Sequence, residues 1–186
     1  MRHLLFILAI LTLCYACSKN TPEDPINPPQ IPPDTTGHVI ELGKSSVLRN
    51  GVAWNILISA YYYPHDKSRF SLAGTLTQGG LTHSLWMQDI SNKIGVHPIE
   101  RRFYWNASNG IPDAVYGITL DGDQFINGYQ VDTTVANQYV EILHYDSVAQ
   151  IVEGRFQAVL EGPTDWPSLP DTIKMTEGKF HLKIKE

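Results

Sequence analysis

The feature that most limits the fold is an alternation of apolar and polar residues with a period of two, recurring from Ser46 to Lys185. Period two marks a strand with one buried face, because successive side chains on an extended chain point to opposite sides. Val52, Trp54, Ile56 and Ile58 form one such series, and Phe70, Leu72, Gly74 and Leu76 another. Leu81, His83, Leu85 and Met87 follow; Val152, Gly154, Phe156, Ala158 and Leu160 come later, and Phe180, Leu182 and Ile184 last. Asn50-Gly51 and Gly79-Gly80 separate such runs. Both dipeptides accept positive φ at two successive positions, as two-residue hairpin turns demand. Glu177-Gly178 reads the same way, between strands at 171–176 and 179–185. Less regular runs at 99–105, 114–120 and 124–131, with a clearer one at 139–145, bring the expected total to about ten strands. Only 135–140 reads as a helical turn, and no longer segment keeps a 3.6-residue period. The pattern predicts an all-β domain over 38–186. An antiparallel β-sandwich is expected, with an open, lipocalin-like β-barrel as the alternative.

The N-terminus obeys different rules. Met1-Arg2-His3 gives a positive start, and Leu4 to Leu13 is apolar except for Thr12. That run is too short for a membrane span of about 20 residues, but it fits the apolar region of a signal peptide. Small Ala16 stands directly before Cys17, and Ser18-Lys19 follow. Lipoprotein processing needs a small residue before the cysteine and a free thiol to carry the lipid. Cys14 competes, but bulky Leu13 precedes it. Residues 1–16 are therefore expected to be a signal peptide, and Cys17 the lipidated first residue of the mature chain. The acyl chains, palmitate among them, would hold it at a membrane without a transmembrane helix.

Residues 17–37 read as a tether. Six prolines fall between Pro22 and Pro33. They remove backbone donors and favour extended polyproline geometry, reaching at most about 3 Å per residue. Lys19 followed by Glu23 and Asp24 loosely resembles a signal for export to the cell surface. The expected location is the outer membrane of the cell envelope, on its surface or its periplasmic face.

The charge balance excludes one class of partner. Fourteen Lys and Arg stand against 19 Asp and Glu, for a net charge of −5. Nucleic-acid binding needs clustered cations, and Arg101-Arg102 is the only adjacent pair. No cysteine follows Cys17, so the β domain has no disulfide, thiol nucleophile or thiolate metal site.

Asn50-Gly51 with Trp54, the strands around Gly79-Gly80, Val-Glu-Gly-Arg-Phe-Gln-Ala at 152–158 and Thr-Glu-Gly-Lys-Phe at 176–180 form an ordered set. In that order the chain resembles a family of small lipoproteins of Bacteroidota-type bacteria, whose domain has no known function. The resemblance covers roughly residues 43–185, and Gly154-Arg155-Phe156 and Gly178-Lys179-Phe180 carry most of it. It implies a lipid-anchored all-β domain and brings no catalytic residues.

The residues offer little catalytic chemistry. No histidine pair has the spacing of a zinc site on one element, and His83 and His144 fall within apolar patterns. Asp121-Gly122-Asp123 lacks the remainder of a calcium loop and reads as a turn. No metal or cofactor is expected. There is no Gly-x-Ser-x-Gly elbow, and Glu100, Glu141, Glu153 and Glu161 show no spacing that pairs them for glycoside cleavage. A hydrolase is thus the least favoured class, and a non-enzymatic domain that binds a ligand or envelope partner the most favoured. The aromatic runs Tyr61-Tyr62-Tyr63 and Phe103-Tyr104-Trp105 offer an alternative. Consecutive strand residues face opposite ways, so each run places a ring outside the core. Tyr61, Tyr63, Tyr104 and Trp105 are the candidate platform of a carbohydrate-binding module.

Overall fold

A computed structural model describes residues 40–63, 65–101, 110–162 and 169–186. The expected signal segment, Cys17 and the expected tether lie outside these, as do Tyr104 and Trp105. The described residues form eleven strands and no helix. They are β1 (Lys44–Arg49), β2 (Val52–Ala53), β3 (Leu57–Tyr63), β4 (Asp66–Gln78), β5 (Leu81–Ser91) and β6 (Gly95–Pro98). β7 (Asp113–Leu120), β8 (Gln124–Val131), β9 (Tyr139–Asp146), β10 (Ile151–Glu161) and β11 (Thr172–Lys185) follow.

The expected all-β sandwich is present. One layer runs β3-β4-β5-β7-β8, and the other runs β2-β1-β11-β10-β9-β6. Ladders within each layer are antiparallel. The layers are stitched at two short corners. At one, Leu160 and Glu161 of β10 pair with Val131 and Gln130 of β8. At the other, Ile184 and Lys185 of β11 run parallel to Ala60 and Tyr61 of β3. Hydrogen bonding is therefore continuous through one mixed sheet of 11 strands, bent into sandwich-like layers and not a clean barrel. Inward side chains from both layers meet between them. Phe70 of β4 and Phe180 of β11 touch edge-on, with ring centroids 6.5 Å apart.

The two Gly-x-Phe motifs interlock. On the antiparallel pair β10–β11, Gly154 lies opposite Phe180, and Phe156 lies opposite Gly178. Each phenylalanine ring covers the glycine across from it. A Cβ on Gly178 would come within 2.6 Å of the Phe156 ring, and one on Gly154 within 2.5 Å of the Phe180 ring. The glycines make room for two fully buried rings whose centroids are 6.4 Å apart. Burying each ring contributes about 1.5–3 kcal/mol.

Four expectations need correction. Glu177-Gly178 is not a hairpin turn, since β11 runs through it as one strand. The register against both β1 and β10 gains one residue there, which is a β-bulge with Glu177 at φ 53°. The bulge keeps Met175 and Gly178 both facing the core although three positions separate them. Second, the hairpin at Asn50-Gly51 forms, but β2 ends at Ala53 and Val52 is exposed. The chain bends at Trp54-Asn55, with Trp54 N–H bonded to Val47 O at 3.0 Å. Trp54, Ile56 and Ile58 are still buried. Third, the strand expected from Ile99 is absent at 99–101, and pairing to β9 comes from the preceding β6. Fourth, 135–140 holds no helix; Val135 N–H closes a turn onto Asp132 O, and β9 starts at Tyr139.

Candidate functional site

One polar cluster sits on inward-facing positions at the end of the sandwich where the β1–β2 and β4–β5 hairpins turn. Alternation with buried Val47 turns Arg49 of β1 inward. The same logic turns His83 of β5 inward with Leu85 and Met87, and Tyr116 of β7 with Ala114 and Ile118. The Arg49 guanidinium donates from Nη1 to the Tyr116 hydroxyl at 2.7 Å. That hydroxyl lies 2.6 Å from His83 Nδ1. The hydroxyl both donates and accepts, so which partner donates in this bond follows the imidazole tautomer. Arg49 Nη1 is also 3.4 Å from Nδ1. Trp54 closes the cluster. The guanidinium carbon stands 5.3 Å from the centre of its indole, which in turn packs 5.7 Å from the Tyr116 ring. Tyr129 backs Tyr116 edge-on at 5.5 Å, and its hydroxyl donates to Pro170 O.

The electrostatics favour a single positive charge. Burial, and then the charge of Arg49, hold the His83 pKa below its ordinary value, which favours the neutral ring. Burial raises Tyr116, against the opposing pull of Arg49, which keeps the phenol neutral. Among the described residues no carboxylate lies within salt-bridge distance of Arg49. The other described arginines each have an acidic partner: Arg69 pairs with Asp66 and Asp89, Arg101 with Glu161, and Arg155 with Glu141. Arg49 is partnered only by neutral groups.

This charge opens onto a groove of about 590 Å³. The volume is in the range of small-molecule sites. Val52, Ala53 and Leu76 supply apolar wall; Asn50, Asn55, Thr77 and Gln78 supply amides and a hydroxyl. Arg49 and Trp54 belong to both the groove and the cluster. The buried indole N–H of Trp54 has no acceptor.

The tyrosines expected to form a platform lie elsewhere. In the β3–β4 ladder Leu57 pairs with Thr75, whereas Tyr61 pairs with Ser71 and Tyr63 with Asp66. The tyrosine run is thus at the end of the ladder remote from the groove. Tyr61 is 40% exposed, with the Lys185 ammonium 5.3 Å from its ring centre. Tyr63 is half-buried and carries the Arg69 guanidinium at 5.4 Å. Each ring already bears a cation. Tyr62 turns the other way and bonds the Tyr145 hydroxyl at 3.0 Å. Of the four glutamates considered for hydrolysis, Glu141 and Glu161 are tied to arginines. Among the described residues, no three His, Cys, Asp or Glu gather as a metal site.

His83 was visible in sequence as a histidine within an apolar series. Arg49 was not singled out, although its position two after Val47 already placed it on the inward face. Comparison with protein-family models, curated proteins and solved structures finds no match for this chain.

Proposed function

We propose that this chain is a lipid-anchored protein of the cell envelope whose β domain binds a small ligand in the end groove and performs no catalysis. The observation that carries the binding role is Arg49: an inward-facing cation, unpaired by any described carboxylate, lining a groove of ligand size. The anchoring role rests on the Ala16-Cys17-Ser18 context and the proline tether. Membership of the Bacteroidota-type lipoprotein family is part of the same reading, on the strength of the two Gly-x-Phe motifs.

Two measurements test it. Labelling with radioactive palmitate should mark the wild-type chain and not the Cys17→Ala variant, which should leave the membrane fraction. Labelling of both would refute Cys17 as the anchor. Protease shaving of intact cells then separates the surface from the periplasmic face. For the binding role, Arg49→Gln should weaken saturable ligand uptake by the folded domain; unchanged uptake would move the site elsewhere.

A carbohydrate-binding module built on the aromatic runs is the second reading, favoured by the exposed Tyr61 ring. It expects glycan-array binding that is lost in Tyr61→Ala or Trp105→Ala and retained in Arg49→Gln.

A further inference from the structure

We infer that the end groove takes a sugar acid: a single carboxylate on a hydroxylated body, with the carboxylate on Arg49. The inference rests on the groove being the ligand site, and three observations narrow the ligand.

The first is charge. A guanidinium offers five N–H donors in a plane, and its strongest partners are oxyanions that can take two of them at once. Nη1 of Arg49 is engaged by Tyr116. Among the described residues no hydrogen bond engages Nε or Nη2 of Arg49. The site carries one positive charge, because the adjacent His83 is held neutral and bonded through Nδ1. One cation with neutral neighbours matches a monoanionic carboxylate better than a doubly charged phosphate, which recruits several cations or a helix N-terminus.

The second is burial. Arg49 is half-buried among aromatic rings, so its unmet donors are partly withdrawn from water. An apolar ligand would leave those donors unmet, at a cost.

The third is the lining. Asn50, Asn55 and Gln78 line the groove with amide groups. Asn50 accepts from Lys174 N–H through Oδ1. Amides both donate and accept, as hydroxyl groups do, and they suit a polyol. Val52 and Leu76 give the apolar patches against which the C–H face of a sugar ring lies.

The test is calorimetric titration of the full chain, purified from membranes in detergent. The probes are glucuronate and galacturonate, with glucose, galactose, benzoate and inorganic phosphate as contrasts. A uronate should bind measurably and each contrast at least about tenfold more weakly, as expected for losing a charged hydrogen-bonded contact. Arg49→Gln should weaken the uronate by about tenfold or more. Gln78→Ala, an exposed change that leaves the core alone, should weaken it severalfold and keeps the test sound if Arg49→Gln unfolds. Equal binding of glucose and glucuronate, or preference for phosphate, would overturn the carboxylate assignment while leaving the groove as the site. Preference for benzoate would overturn the hydroxylated body. Uronate binding unaffected by both substitutions would overturn the groove itself.

Discussion

Gly178 shows how little room single positions leave. Its missing Cβ is the space that the Phe156 ring fills, so Gly178→Ala forces two buried groups apart. We expect a loss of about 1–3 kcal/mol by urea denaturation, as for other overpacked cores. Gly154→Ala should cost more, because its Cβ would meet the Glu141 carbonyl as well as the Phe180 ring, and backbone yields less than a side chain. A neutral result at Gly154 would mean that the glycines are not there for the rings. His83 makes a pH prediction. Its folded pKa lies below the ordinary 6.5. As pH falls through 6.5, the unfolded chain takes up a proton that the folded chain refuses, so stability drops until the folded pKa is passed. Thermal melts between pH 5 and pH 7 should show a slope that shrinks in His83→Gln. Asp66, Asp132 and Asp146 have pKa values below their ordinary 3.8, Asp66 at about 2 through its bonds from Ser68. Their contributions are lost only at lower pH, so the two windows separate.

At the scale of elements, the bulge in β11 sets the phase of everything before it. Ile173 and Met175 face the core only because one extra residue is accommodated at 176–177. Deleting Glu177 would turn both outward or break the register with β1 and β10 together. The deletion should abolish cooperative unfolding, whereas Glu177→Gly, which relieves a non-glycine residue at φ 53°, should hold or raise the melting temperature. The sequence was readable where alternation is strong: β4, β5 and β10 fall where period two predicts them. It misled at Glu177-Gly178, because a turn and a bulge use the same chemistry, a residue tolerating positive φ followed by glycine. What separates the two is the ring of Phe156 against Gly178, a contact distant in the chain that local sequence does not report. β6 was missed because Gly95–Pro98 alternates over too few residues to register.

At the scale of the molecule, the two layers were foreseeable from the number of short strands, but their stitching was not. Corners of two residue pairs each depend on long-range register and leave no local trace. The candidate site was half readable for the same reason. Alternation marks Arg49 and His83 as inward, yet their meeting through Tyr116 spans 67 positions. Amide exchange should follow the layering. β10 and β11, paired to each other over most of their lengths, should exchange slowest; β2 and β6, short strands at the two ends of the strand order, should exchange first. Uniform protection across all eleven strands would contradict this ranking. The position of β11 has a further consequence. It lies between β1, β3 and β10, so the earliest strands described are completed only by the latest. A ribosome delivers residues in order, and β1 therefore emerges with its main partner still unsynthesised. Such long-range pairing folds slowly. Until β11 arrives the chain cannot lock shut, and a polypeptide that stays unlocked while being made is one that can still be threaded through a narrow translocation channel.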